Sequence, residues 1–329
     1  MRWPALSGLA AGLLIAAAPA ASRAAPLIAV VSQQAGVVTL IDADEARVTA
    51  EIAVPRVPAG IAAAPDGRML YVTHPDLGLV SRIDVDHRRV ETSFAVGREP
   101  FGIATTDDGR ALLVSDWSAD ALIRVEAATG TETGRVAIGR SPAGLVVDAA
   151  AGRAYVADRE SNQISVVDLA SMTRRATIPT GRAPFALALS PSGDRLYVAN
   201  VQSGDLSVIS TTRLEETDRF KVGLMPYGVA VTPDGASILV SNQQSGTLAL
   251  IAAGSHAIEA RSRIGDYPEG IVALSPRRAA MVNWAADEVG IVDIAAARIV
   301  ARIRIGAGPR NLVVLPAAAN ESPDADSGK

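Results

Sequence analysis

Short apolar runs of four to seven residues, many alternating with polar positions, follow one another along the chain from Leu27 onward. "LYVAN", "GDLSVIS" and "MLYVTH" are examples, and each is bounded by Gly, Asp, Asn or Pro. A period of two with β-branched residues predicts half-buried strands, and the bounding residues predict turns. Asp66-Gly67, Asp108-Gly109, Ser192-Gly193 and Asp234-Gly235 are dipeptides suited to tight reversals between antiparallel strands. Helical spacing over eleven or more residues is confined to the first segment, and the Ala-rich piece at 294–297 is too short to form a helix.

The strand pattern repeats. Pro58, Pro100, Pro142, Pro184, Pro226, Pro268 and Pro309 are spaced 42, 42, 42, 42, 42 and 41 residues apart. Two positions on stand Gly60, Gly102, Gly144, Ala186, Gly228, Gly270 and Asn311, which suits a crowded place where backbones approach closely. Four short strands per period of about 42 residues describe a propeller blade. Six full units run from Pro58 to about Ile305. "LIAVVS", "GVVTLID" and "RVTAEIAV" at the start match strands two, three and four, and "PRNLVVLP" at the end matches strand one. The expected fold is therefore all-β: a seven-bladed β-propeller with four antiparallel strands per blade. Its ring closes with one C-terminal and three N-terminal strands and leaves no long free edge.

"TGRAPFALALSPSGDRLYVAN" followed by "SGDLSVI" resembles the YVTN-type β-propeller repeat family, with "MLYVTH" and "ILVSN" as degraded copies. The resemblance covers roughly 27–316. It implies an exported seven-bladed propeller in the fold space of haem d1-type propellers, quinoprotein amine dehydrogenase chains and lactonase-like propellers. Its motif specifies blade structure, so Tyr71, Tyr155 and Tyr197 carry over as strand-two packing residues and Asn200 and Asn242 as turn residues.

Composition refines this picture. Apolar residues are 49% and aromatics only 4%, so the core must be built of Val, Ile, Leu and Ala. Met1-Arg2, the apolar run 9–18 and the small residues Ser22 and Ala24 read as an export signal cut after Ala24. Domain organisation is then 1–24 signal peptide, 26–316 propeller and 317–329 disordered tail, with a periplasmic or secreted location. Cleavage removes Arg2 and Arg23 and takes the net charge from −4 to −6. That balance and the few rings argue against single-stranded nucleic acid as partner. Cysteine is absent, which excludes thiolate metal sites and covalent haem attachment.

Function is expected where the loop into strand one and the loop leaving strand two open on one face. Two residues before the Pro stand Arg56, Arg98, Arg140 and Arg182, with Arg310 one past its own Pro. Phe101, Phe185 and Tyr227 stand one residue after the Pro in three of the repeats, and Trp117 and Trp284 fall in loops after strand two. Guanidinium forks suit carboxylates and phosphates, and rings suit planar groups. The alternative is that each Arg pairs with an acid such as Asp116 or Asp158 and merely tightens the ring. The expected function is binding of a protein partner or small anionic ligand on this face. No catalytic or metal set stands out among His74, His87 and His256, and the sequence requires no cofactor. A competing reading is a lactonase-like hydrolase or redox accessory with a metal or cofactor held by Asp116, Asp158 and Glu160.

Overall fold

The computed structural model describes residues 26–316. The expected export segment and tail lie outside the described residues. Twenty-eight strands form seven four-stranded antiparallel sheets. Blade 1 combines residues 27–53 with Pro309–Val314. Blades 2 to 7 span 61–95, 100–137, 142–179, 184–221, 226–263 and 268–304. Leu27–Ser32 pairs antiparallel with Pro309–Val314 in the register Ile28↔Val314 and Val30↔Leu312. The last strand is thus the innermost strand of the first blade, as the repeat arithmetic requires.

The core consists of seven apolar clusters, one between each pair of neighbouring blades. The closing seam resembles the rest: Ile28, Val30 and Ile41 of blade 1 pack with Val282, Val289 and Ile291 of blade 7. Val, Ile, Leu and Ala dominate, and Tyr71, Tyr155 and Tyr197 are buried on the second strands. Such residues pack well on pleated surfaces, and every seam between neighbouring blades is filled by them. No helix among the described residues is long and apolar enough to cross a membrane.

Polar latches join neighbouring inner strands. Gly102 N–H donates to Ser115 Oγ at 2.8 Å, and the Ser115 hydroxyl donates to the Ala143 carbonyl of the next blade at 2.7 Å. Thr73 links Gly60 to Phe101 in the same way, and Ser241 links Gly228 to Glu269. A Cβ on Gly102 would lie 2.3 Å from the Ala143 carbonyl oxygen, so the close approach leaves no room for a side chain. Register shifts beside the Pro in blades 3 to 7 let each inner strand bend toward the axis.

Candidate functional site

Loops from strand four to strand one and from strand two to strand three meet on one end of the ring, here the top face. Trp117 N–H donates to the Glu99 carbonyl at 2.9 Å and Trp284 N–H to the Tyr267 carbonyl at 3.0 Å. Beneath these loops lies a ring of buried polar residues, the last of each second strand: Ser32, His74, Asp116, Asp158, Asn200, Asn242 and Asn283. His74, Asp116, Asn242 and Asn283 of this ring bond the loop entering strand one. A Cβ on Gly139, three residues before Pro142, would sit 2.4 Å from the Asp158 carboxylate.

This ring corrects two expectations. Asn200 and Asn242 end strands in the interior instead of standing in turns. Asp116 is not available to a metal or cofactor, and Asp158 is fully buried with its Oδ1 unpartnered among the described residues. Asp116 accepts the backbone N–H groups of Arg98 at 2.7 Å, Glu99 at 3.1 Å and Ala119 at 3.1 Å. Asp158 accepts from Gln163 and Ser165, and burial pushes its carboxyl above the ordinary range. Glu160 is exposed and paired with Arg159. His74 is likewise committed: Nε2 lies 2.9 Å from Ser81 Oγ, Nδ1 3.3 Å from the Arg56 carbonyl, and burial holds its pKa below the usual value. Among the described residues no group of three His, Asp or Glu side chains is placed to share a cation.

Arg56, Arg98, Arg140 and Arg182 stand exposed on the rim of four successive blades. Arg140 Nη2 donates to the Glu160 carbonyl at 2.9 Å. Among the described residues none of the four guanidiniums is in an ion pair, so the expected pairing with Asp116 or Asp158 does not occur. The loops carrying them are strained. The residue before the Pro has φ of 53° at Val57, 49° at Ser141 and 56° at Ala183, and again 53° at Met225 and 54° at Tyr267. Left-handed backbone costs a non-Gly residue about 1–2 kcal/mol, offset here by the buried braces beneath.

The residues immediately after the Pro meet at the mouth of the central channel. Phe101, Phe185 and Tyr227 form a continuous ladder with Trp117. Centroids are 5.1 Å apart for Trp117–Phe101, 5.7 Å for Phe101–Phe185 and 4.4 Å for Phe185–Tyr227. All four rings are half-buried. A guanidinium lies over each end, Arg159 at 5.8 Å from the Trp117 ring and Arg310 at 5.8 Å from the Tyr227 ring. Arg310 also donates to Glu269 Oε2 at 3.1 Å, to Gln33 Oε1 at 3.1 Å and to the Tyr227 hydroxyl. Gln243 Nε2 holds the other Glu269 oxygen at 2.7 Å. Burial pushes the Glu269 carboxyl above its ordinary value despite Arg310 and Gln243. It also pushes the Tyr227 hydroxyl up to about 12, with Glu269 adding to the shift. Below the ladder a cavity of about 270 Å³ runs between the inner strands.

Five expected site residues therefore converge at the mouth: Phe101, Phe185, Tyr227, Trp117 and Arg310. The four rim arginines form an arc along one side of it, on blades 2 to 5. Trp284 is outside the ladder and packs edge-on against Tyr267 at 6.2 Å. Gln33, Gln243, Arg159 and Glu269 complete the mouth. Gln33, Trp117, Arg159 and Gln243 each stand one residue past the end of a second strand, so aligning that slot across the seven copies singles them out.

Comparisons agree on the architecture. Residues 23–134, about a third of the chain, match the family model described as cytochrome D1 heme domain. Hydrazine synthase of Kuenenia stuttgartiensis has a solved chain that is 18% identical with a TM-score of 0.73, the alignment covering 86% of this chain and 99% of that one. A functionally unknown protein from Desulfotomaculum acetoxidans aligns at 12% identity and TM-score 0.75 over 88% and 98%. The dihydro-heme d1 dehydrogenase NirN, solved in complex with DHE, aligns at 18% and 0.66 over 88% of this chain and 75% of that one. No curated protein matches. At these identities the likeness shows the fold: a cytochrome d1-like seven-bladed propeller.

Proposed function

We propose that the protein is an exported binding propeller whose top face docks an acidic partner protein. The observation that carries this is the rim itself: four exposed guanidiniums on successive blades, none with a carboxylate partner. Asp116 and Asp158 are buried and Glu160 is paired with Arg159, so these three acids do not neutralise the arc. Guanidiniums without a carboxylate partner keep N–H donors for an incoming one, although Arg140 spends one on the Glu160 carbonyl. The proposed location is periplasmic or secreted, after cleavage at Ala24. N-terminal sequencing of the protein recovered from an envelope fraction checks this.

The names of the family model and of NirN raise a haem-like macrocycle as an alternative occupant. The residues at this mouth do not fit one. The cavity is about 270 Å³, below the usual 300–1,000 Å³ of sites for larger ligands. Four contiguous rings cross its entrance. Axial ligation by histidine has no donor: His74 is held inside, and His87 and His256 lie in hairpins between strands three and four, at the other end of the ring. Tyr227 is held as a protonated phenol by its burial.

A glutamate-rich 20-residue peptide is the direct probe. Wild-type protein should bind it with an affinity that falls as salt rises. Arg98→Ala/Arg140→Ala/Arg182→Ala should weaken it about tenfold, from roughly 0.5 kcal/mol per exposed contact. Equal binding by the triple variant, or salt-independent binding, would overturn the proposal.

A further inference from the structure

The bore below the ladder holds one feature that the repeat does not explain. At the second position after the Pro, six blades carry Gly or Ala and blade 1 carries Asn311. Asn311 lines the cavity and is exposed to it. Its Oδ1 accepts the Leu312 backbone N–H at 2.9 Å. An acceptor engaged by an N–H must be the oxygen, so the amide orientation is fixed and Nδ2 is left as a donor. Among the described residues it has no partner.

Next to it on the same strand is Arg310. A guanidinium has five N–H groups, and Glu269, Gln33 and Tyr227 take three of them. Two remain, one on each terminal nitrogen. Arg310 and Asn311 both line this cavity, whose roof is made of rings, so a ligand held inside it can meet donors from each. Glu269 is only 3% exposed, so its charge is spent on Arg310 and Gln243 and does not confront the lumen.

We propose that this cavity is a second binding site, separate from the rim, for a small aromatic carboxylate of one or two rings. Its carboxylate accepts from Arg310 and Asn311 Nδ2, and its ring lies against Tyr227 and Phe185. Ring contact and a fork of donors select for both features at once. The cavity volume limits the ligand to this size. Asn311 sets specificity, because a site built with a spare donor discriminates against a ligand that leaves it unpaired.

Isothermal titration with 2-naphthoate, 2-naphthamide and 2-naphthylmethylammonium tests this, with quenching of Trp117 as a second readout. Naphthoate should bind at one site per chain, about tenfold tighter than the amide, and the ammonium compound should not bind. Asn311→Gly installs the residue of the sibling blades and should keep the fold, shown by an unchanged unfolding midpoint, while weakening naphthoate about fivefold. Asn311→Leu, which fills the same space without a donor, should weaken it at least as much. At about 0.5 M salt, which screens the field of the rim, Arg98→Ala/Arg140→Ala/Arg182→Ala should bind naphthoate like wild type, so failure at the rim and failure in the bore read out separately. The proposal is overturned by absence of saturable naphthoate binding, by equal affinity for all three compounds, or by unchanged affinity in both Asn311 variants.

Discussion

Replacing Arg310 by Met removes the charge that holds Glu269 in the mouth. Glu269 is 3% exposed and the Arg310 side chain 26% exposed, so the carboxylate loses its counter-charge without gaining water. Breaking such a pair from one side costs about 3–5 kcal/mol. Arg310 keeps some contact with solvent, which places this pair near the lower end, about 3 kcal/mol. The pH dependence follows. Burial already holds the Glu269 pKa above its unfolded value, and loss of Arg310 raises it further. A raised carboxyl contributes stability that is present below the unfolded pKa, near 4.3, and lost as pH rises through the folded pKa. Urea unfolding of wild type and Arg310→Met at pH 5 and pH 8 should therefore show a larger deficit at pH 8. Arg310→Met/Glu269→Gln should recover most of the loss at both pH values. A deficit under about 1 kcal/mol at pH 8, or one that does not shrink toward pH 5, would refute the reasoning.

Other outcomes are expected elsewhere in the ring. Ser115→Ala orphans the Gly102 N–H and the Ala143 carbonyl between two blades and should cost about 2 kcal/mol in chemical denaturation. Gly139→Ala forces a methyl against Asp158 and should lower stability by about 1–3 kcal/mol, read as a drop in the urea midpoint. His74 has a depressed pKa, so its contribution is present above the ordinary value near 6.5 and is lost as pH falls through the folded value. His74→Asn, the residue at that slot in blades 5, 6 and 7, should remove this part of the fall in melting temperature between pH 7 and pH 5, seen as a difference from wild type that changes across that window and is constant above pH 7.

The spacing of seven prolines carried the ring, its blade count and its closure, because each copy must present the same inner strand to the axis. Alternation carried the core, and the seven seams are filled by the Val, Ile, Leu and Ala that the shortage of rings demanded. The mouth was legible only in part. Phe101, Phe185 and Tyr227 share one repeat slot, so alignment finds them. Their contact across the axis depends on Ala143 between Phe101 and Phe185 being small enough to let them meet. Gln33 reaches Arg310 from 277 residues away, a contact that no local pattern encodes. Asp116 also misled. Its slot looked like an exposed loop acid, yet the strand runs one residue further inward and the carboxylate turns to the backbone of its own blade. There Gly97, at φ 65°, takes the left-handed bend that the residue before Pro takes in blades 2, 4, 5, 6 and 7.

The proposed attraction of anions to the channel mouth by the top face can be read directly at Trp117. In protein produced without residues 1–24 and carrying Trp284→Phe, Trp117 is the remaining tryptophan, and its fluorescence can be quenched by iodide or by caesium at constant ionic strength. With Arg159 over the ring and the guanidinium rim around it, iodide should quench Trp117 several-fold more efficiently than caesium, and the advantage should fall when Arg98, Arg140 and Arg182 are replaced by Ala. Quenching by caesium as strong as by iodide would contradict the account.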